Sequence, residues 1–144
     1  MAAFKFKFKS VQNVKKNLEK KVQKELALIE LKIDSLKEVQ NNLRIDLKNH
    51  RLSASGNKKM SEIQFVKSYA IYIERKIESI EQKIDDLEKE KKMKLADLLK
   101  KSKEHKMFDK LEEKHLERFT KDQNKSDMKN IDEIAIQKFA RVKK

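Results

Sequence analysis

From Ile63 to Leu87, apolar side chains fall at Ile63, Val66, Ala70, Ile73, Ile77, Ile80, Ile84 and Leu87, alternately three and four residues apart. An α-helix turns once in about 3.6 residues, so such a stripe stays on one side only by supercoiling around a second apolar stripe. Residues Val11, Val14, Leu18, Val22, Leu26, Ile29, Ile33, Leu36, Leu43 and Leu47 supply one, with Gln40 at a seam position. Their spacing lies nearer the period of a straight helix, which predicts weak supercoiling, and Leu28, Leu31, Val39 and Ile45 widen the apolar face. Two stripes and one short connection predict an all-α fold: a long antiparallel two-helix coiled-coil hairpin forming a single domain over residues 1–144.

Ser10 is a suitable N-cap, which places helix one at about 10–51. Residues 52–60 form the predicted loop, with Gly56 and Asn57 able to adopt positive φ. Helix two is expected over about 61–122, because Ser61 and Gln64 match a capping box. Past Leu87, Lys91 and Lys94 take the next two seam positions. Apolar residues resume at Leu95, Leu98, Leu99, Phe108, Leu111, Leu116 and Phe119, which predicts a re-phased seam. The polar stretch 122–129 suggests a joint, and Asn130 can cap a short tail helix over about 131–141 with Ile131, Ile134, Ala135, Lys138 and Phe139 near one face.

At the other end Phe4, Phe6 and Phe8 alternate strictly with Lys5, Lys7 and Lys9. The residues fit either a tail packing its phenylalanines on helix ends or a segment that orders against a partner. Helix two outruns helix one by roughly 20 residues, about 30 Å, so it overhangs unless this tail covers it.

Composition agrees with a hairpin. With 42% of residues charged and 38% hydrophobic, a globular core is out of reach, yet a two-helix seam is not. There is no proline and a single glycine, Gly56, so little interrupts a helix. The absence of cysteine excludes disulfides and thiolate sites and fits a reducing compartment. No apolar run approaches the roughly 20 residues of a membrane span. The lysines among the first phenylalanines are unlike a secretory signal, so a cytoplasmic location is expected.

The net charge of +13 is unevenly spread: +7 over residues 1–24, −1 over 25–90 and +7 over 91–144. In an antiparallel hairpin both basic segments fall at the end away from the turn. Catalytic chemistry has no foothold. A phosphate-binding loop needs more than one glycine. His50, His105 and His115 lack metal-site spacing, and Asp85-Asp86 and Glu112-Glu113 sit among lysines as helix-surface partners. No enzyme activity, cofactor, metal or small-molecule substrate is expected.

The run Lys106-Met107-Phe108-Asp109-Lys110-Leu111-Glu112-Glu113-Lys114, followed by Asp132-Glu133-Ile134-Ala135-Ile136-Gln137-Lys138-Phe139, resembles the flagellar export protein FliJ family. Within it Asp132, Glu133, Ala135 and Phe139 form the tail motif. The opening, with Phe6, Phe8, Val11, Val14 and Lys15, resembles the family's start, departing at Phe8 and Gln12 where leucine is common. Tyr69, Ile73 and Ile77 look like the start of the family's second helix. The resemblance implies a non-catalytic component of the flagellar type III export apparatus, shaped like the central stalk of rotary ATPases. Such a stalk binds the export ATPase ring and links it to the membrane export gate and export chaperones. It would be held peripherally at the inner face of the cell membrane through those partners.

The charge map supplies an orientation for that role. A basic end would be drawn into a ring with an acidic lumen, which assigns Lys5, Lys7, Lys9, Lys138, Arg141, Lys143 and Lys144 to the ATPase. Leu36, Val39, Leu43, Tyr69 and Ile73, in the nearly neutral half, are left for gate or chaperone contact. Two alternatives stand beside this: an injectisome stalk of the same shape, and a basic coiled coil that binds nucleic acid through phosphates. The absence of a stacking platform and the many interspersed acids weigh against nucleic acid.

Overall fold

The computed structural model describes residues 3–53, 56 and 59–142. Two helices account for nearly all of them, α1 (Lys9–Ser53) and α2 (Met60–Val142), and no strand occurs among the described residues. The all-α hairpin expected from the two stripes is what forms. Both helices begin just before the serines chosen as caps. The Phe8 carbonyl accepts from the Gln12 amide at 2.9 Å, and the Lys59 carbonyl accepts from the Glu62 and Ile63 amides at 3.0 and 3.1 Å. Ser10 and Ser61 therefore lie inside their first turns. Between the helices Gly56 has a φ of 145°, a conformation open to glycine and strained for other residues. Asn57, the other expected turn residue, lies outside the described residues.

The chain divides into two compact units. One comprises residues 20–99, the turn half of both helices. Its core is Ile29, Ile33 and Ile84, with Leu36, Ile80 and Leu87 packed against them, and Val22 and Ile73 are buried along the same seam. Each of the buried side chains, as distinct from those packed against them, contributes roughly 1.5–3 kcal/mol by leaving water, which offsets part of the cost of ordering the chain. Gln40, only 5% exposed, occupies its seam position by donating Nε2 to the Ile77 carbonyl and to Glu81.

In this unit the seam does not shift past Leu87. Lys91 and Lys94 stay at inward-facing positions, and α1 presents an acid to each. Lys94 Nζ lies 2.7 Å from Glu25 Oε2, and Lys91 Nζ lies 3.7 Å from Glu30 Oε1. A long lysine covers the seam with its methylenes while its ammonium reaches the edge, so the apolar zip becomes an ionic one in the same frame. Leu95 and Leu99, expected in a shifted seam, are exposed.

The other unit comprises residues 3–19 and 100–142 of the described chain. Its pairing is polar. Gln12 donates Nε2 to Asp109 at 2.8 Å and to Glu112 at 2.7 Å, Lys15 meets Glu104 at 2.9 Å, and His105 Nδ1 lies 2.9 Å from Glu19. Val11 and Val14, expected in the stripe, are 41% and 55% exposed, because Gln12, Lys15 and Glu19 take the inward positions at three- and four-residue steps. The result is a stricter heptad than the apolar residues alone suggested. Leu116 is likewise exposed, whereas Phe108, Leu111, His115 and Phe119 face inward.

Phe6 is the buried apolar residue of this unit. The segment before α1 lies along α2: Phe4 packs on Phe119 with ring centroids 5.6 Å apart, and Phe6 meets His115 edge-on at 5.6 Å. The tail thus covers part of the overhang. α2 itself runs unbroken through 122–129, where a joint was expected, and through 131–141, where a separate helix was expected.

Candidate partner-binding surfaces

The alternation of residues 4–9 has a structural consequence. With Phe6 buried and Phe4 and Phe8 half-buried against α2, Lys5, Lys7 and Lys9 are left exposed to solvent. The burial alternates although the segment is not a strand: residues 7–8 form a turn, closed by the Lys9 amide donating to the Phe6 carbonyl at 3.2 Å, and α1 begins at Lys9. Lys9 keeps a loose ion pair with Glu112 at 3.7 Å, and Lys7 lies 6.0 Å from the Phe8 ring. Neither contact holds the ammonium away from water.

Lys138 and Arg141 are also exposed, on the last turns of α2. They do not join the first cluster. Nineteen residues of helix separate Lys138 from Phe119, about 30 Å along the axis. The basic residues therefore form two groups within this unit, and Lys143 and Lys144 lie outside the described residues. The tail motif residues Asp132, Glu133, Ala135 and Phe139 are all exposed.

In the turn-half unit, the residues read as a partner face divide differently. Ile73 is 2% exposed, and Leu36 and Leu43 face the seam, so these three hold the helices together and are not available to a partner. Val39 is exposed, and Tyr69 is half-buried with its ring 4.4 Å from that of His50. What this unit offers instead is an aromatic edge along α2. Phe65 and Tyr72 are 65% and 54% exposed, Phe65 stacks on Tyr69 at 6.3 Å, and Lys76 Nζ lies 4.8 Å from the Tyr72 ring. Hydrogen bonding to Tyr72 holds Lys76 above its ordinary pKa. Neither Phe65 nor Tyr72 lies on the apolar stripe, so the only signal of this edge in the sequence is their four- and three-residue spacing from Tyr69.

Among the described residues no group of three or more His, Cys, Asp or Glu side chains could hold a metal ion, and no helix is long and apolar enough to cross a membrane. The family model for the flagellar FliJ protein matches residues 4–144. The chain belongs to the FliJ family. It is therefore a component of flagellar type III export, and the FliJ family is a non-catalytic part of that apparatus. No curated protein and no solved structure matches the chain. The FliJ match runs from the phenylalanine–lysine segment through the tail motif, so both candidate surfaces fall inside it.

Proposed function

We propose that this FliJ-family chain is a stalk that binds the flagellar export ATPase ring through its basic residues and links that ring to the membrane export gate and export chaperones. The observation that carries the ATPase contact is the burial of Phe6 against His115, which anchors the segment that leaves Lys5, Lys7 and Lys9 exposed. Preset charges of one sign speed and orient encounter with an acidic lumen. Lys138 and Arg141 form a second contact, with Lys143 and Lys144 continuing the run of charge in the sequence. The gate and chaperone contacts fall to Val39 and the Phe65, Tyr69 and Tyr72 edge, where exposed aromatic area supplies anchors. The chain would sit at the inner face of the membrane through these partners.

The test is binding of the full chain to purified flagellar export ATPase, with ATP turnover measured in parallel. The unaltered chain should bind and stimulate. Reversing Lys5, Lys7 and Lys9 to glutamate, or Lys138 and Arg141 to glutamate, should weaken binding without loss of helicity. Raising salt should mimic the reversals over the range in which charge is screened. An unaltered chain that neither binds nor stimulates the ATPase overturns the reading.

A further inference from the structure

Along α2, Lys103, Lys106, Lys110, Lys114 and Arg118 follow one another at three- and four-residue steps, and Lys121 and Lys125 continue the series. At about 100° per residue they fall within an arc of about 120° and span about 33 Å of axis, on the side away from the inward-facing His105, Glu112 and Phe119. All of these cations are exposed, and none makes an ion pair among the described residues. The acids of the same stretch are drawn inward: Glu104 meets Lys15, and Asp109 and Glu112 accept from Gln12. Pairing with α1 thus sorts the charge of α2, leaving Glu117 inside the arc and Glu113 at its margin. The fold gains nothing from the cations themselves. Lys106, Lys110, Lys114 and Arg118 stand four residues apart in turn, and like charges at that spacing destabilise a helix. An anionic partner relieves that repulsion. We infer that this ridge is a lipid-binding face, along which this part of α2 lies against an anionic bilayer surface.

The form of the ridge selects the partner. A bilayer presents its headgroups in a plane and lets them diffuse to each cation, so the whole row is matched at once. The phosphates of a nucleic-acid duplex wind away from any line, so a row of this length meets each strand only where it crosses, about once per turn of roughly 34 Å. A protein interface centres on apolar residues with charge at its rim, and Met107 is the only apolar residue in the arc. The ridge includes neither of the basic groups assigned to the ATPase, so the inference stands or falls separately from that reading. It adds a direct lipid contact to a membrane placement otherwise made through partners.

Co-sedimentation of the full chain with vesicles of equal parts phosphatidylglycerol and phosphatidylcholine tests this with no ATPase present. The chain should bind these vesicles and not phosphatidylcholine alone, with affinity falling as salt rises. Near an anionic surface each cation is worth about five-fold in binding, so Lys110→Gln with Lys114→Gln should weaken it about twenty-five-fold. Circular dichroism should be unchanged, since these two lysines repel across one turn. Lys67→Gln with Lys83→Gln removes the same charge from exposed positions of the turn-half unit and should change binding by no more than about two-fold. Because the chain has no cysteine, Met107→Cys and Leu116→Cys can each carry a single environment-sensitive dye, and only the dye at 107 should report contact with the membrane. Three outcomes overturn the inference: no salt-sensitive binding to the anionic vesicles, with or without capture of duplex DNA or polyglutamate in their place; equal losses from the two lysine pairs; or a dye at 116 that responds as strongly as the one at 107.

Discussion

The Gln40 amide nitrogen lies 3.4 Å from the Ile77 carbonyl oxygen, a side-chain contact to backbone within the apolar part of the seam. Glu81 accepts from the same nitrogen, so a buried amide is satisfied in one register of the helices and stranded in others. Polar residues at such positions trade stability for a unique alignment. Gln40→Leu should raise the urea midpoint, by an amount corresponding to about 1 kcal/mol, since leucine fills the site without needing a partner. A lowered midpoint would mean that the amide stabilises more than it costs to bury.

Ile33 and Leu31 separate seam from surface within one turn of α1. Ile33 is 3% exposed and Leu31 is 64% exposed, although both are large aliphatic residues in the same apolar-rich stretch. Ile33→Ala should destabilise the chain by about 2–5 kcal/mol in chemical denaturation, through lost burial and an incompletely filled cavity. Leu31→Ala should stay within about 0.5 kcal/mol of the unaltered chain. Comparable losses would place Leu31 in an interface.

The ionic part of the seam gives stability a pH dependence with a fixed sign. The hydrogen bond and charge of Lys94 hold Glu25 below its ordinary pKa of 4.5, and Lys15 does the same for Glu104. A carboxylate with a lowered folded pKa stabilises the fold above 4.5 and loses that contribution as pH falls through its folded value. Lys94, raised above 10.5 by Glu25, stabilises below that pH and loses its contribution as pH rises through its folded value. Melting temperature should therefore fall on both the acid and alkaline sides. Glu25→Gln should flatten both limbs modestly, because the pair is solvent-accessible. An unchanged profile would show that the pair does not survive in solution.

Much of this architecture was legible because apolar heptads encode pairing directly. Ile73, Ile80, Ile84 and Leu87 identified their own stripe, and Gln40 was recognised as a seam residue despite its polarity. That encoding is lost where seam positions are charged. Lys91, Lys94, Lys15, Glu19 and His105 carry no apolar signal, and the acids or bases opposite them become visible only once the helices are aligned. Following apolar residues alone therefore led to Val11, Val14, Leu95 and Leu99, which are exposed. The partner face suffered from the opposite confusion, since Ile73 is apolar because it is core. The expected joint at 122–129 is polar because it lacks a seam, yet its residues include good helix formers such as Lys, Gln and Met and no proline or glycine, so the helix continues.

Phe6 links fold to the ATPase-binding reading, and a substitution there separates the two. Its ring fills the contact with His115 while Phe4 and Phe8 cover the neighbouring surface, so the segment is held by few interactions. Elements of that kind open locally at modest free-energy cost. Phe6→Ala should speed tryptic cleavage after Lys5 and Lys7 several-fold, whereas overall helicity should barely change because α1 begins at Lys9. The same variant retains every lysine, so its net charge is unaltered. If the anchored placement of these cations is what the ATPase recognises, Phe6→Ala should weaken binding nearly as much as reversing Lys5, Lys7 and Lys9. A variant that is cleaved faster yet binds at full strength would show that charge suffices and that the geometry imposed by Phe6 does not matter.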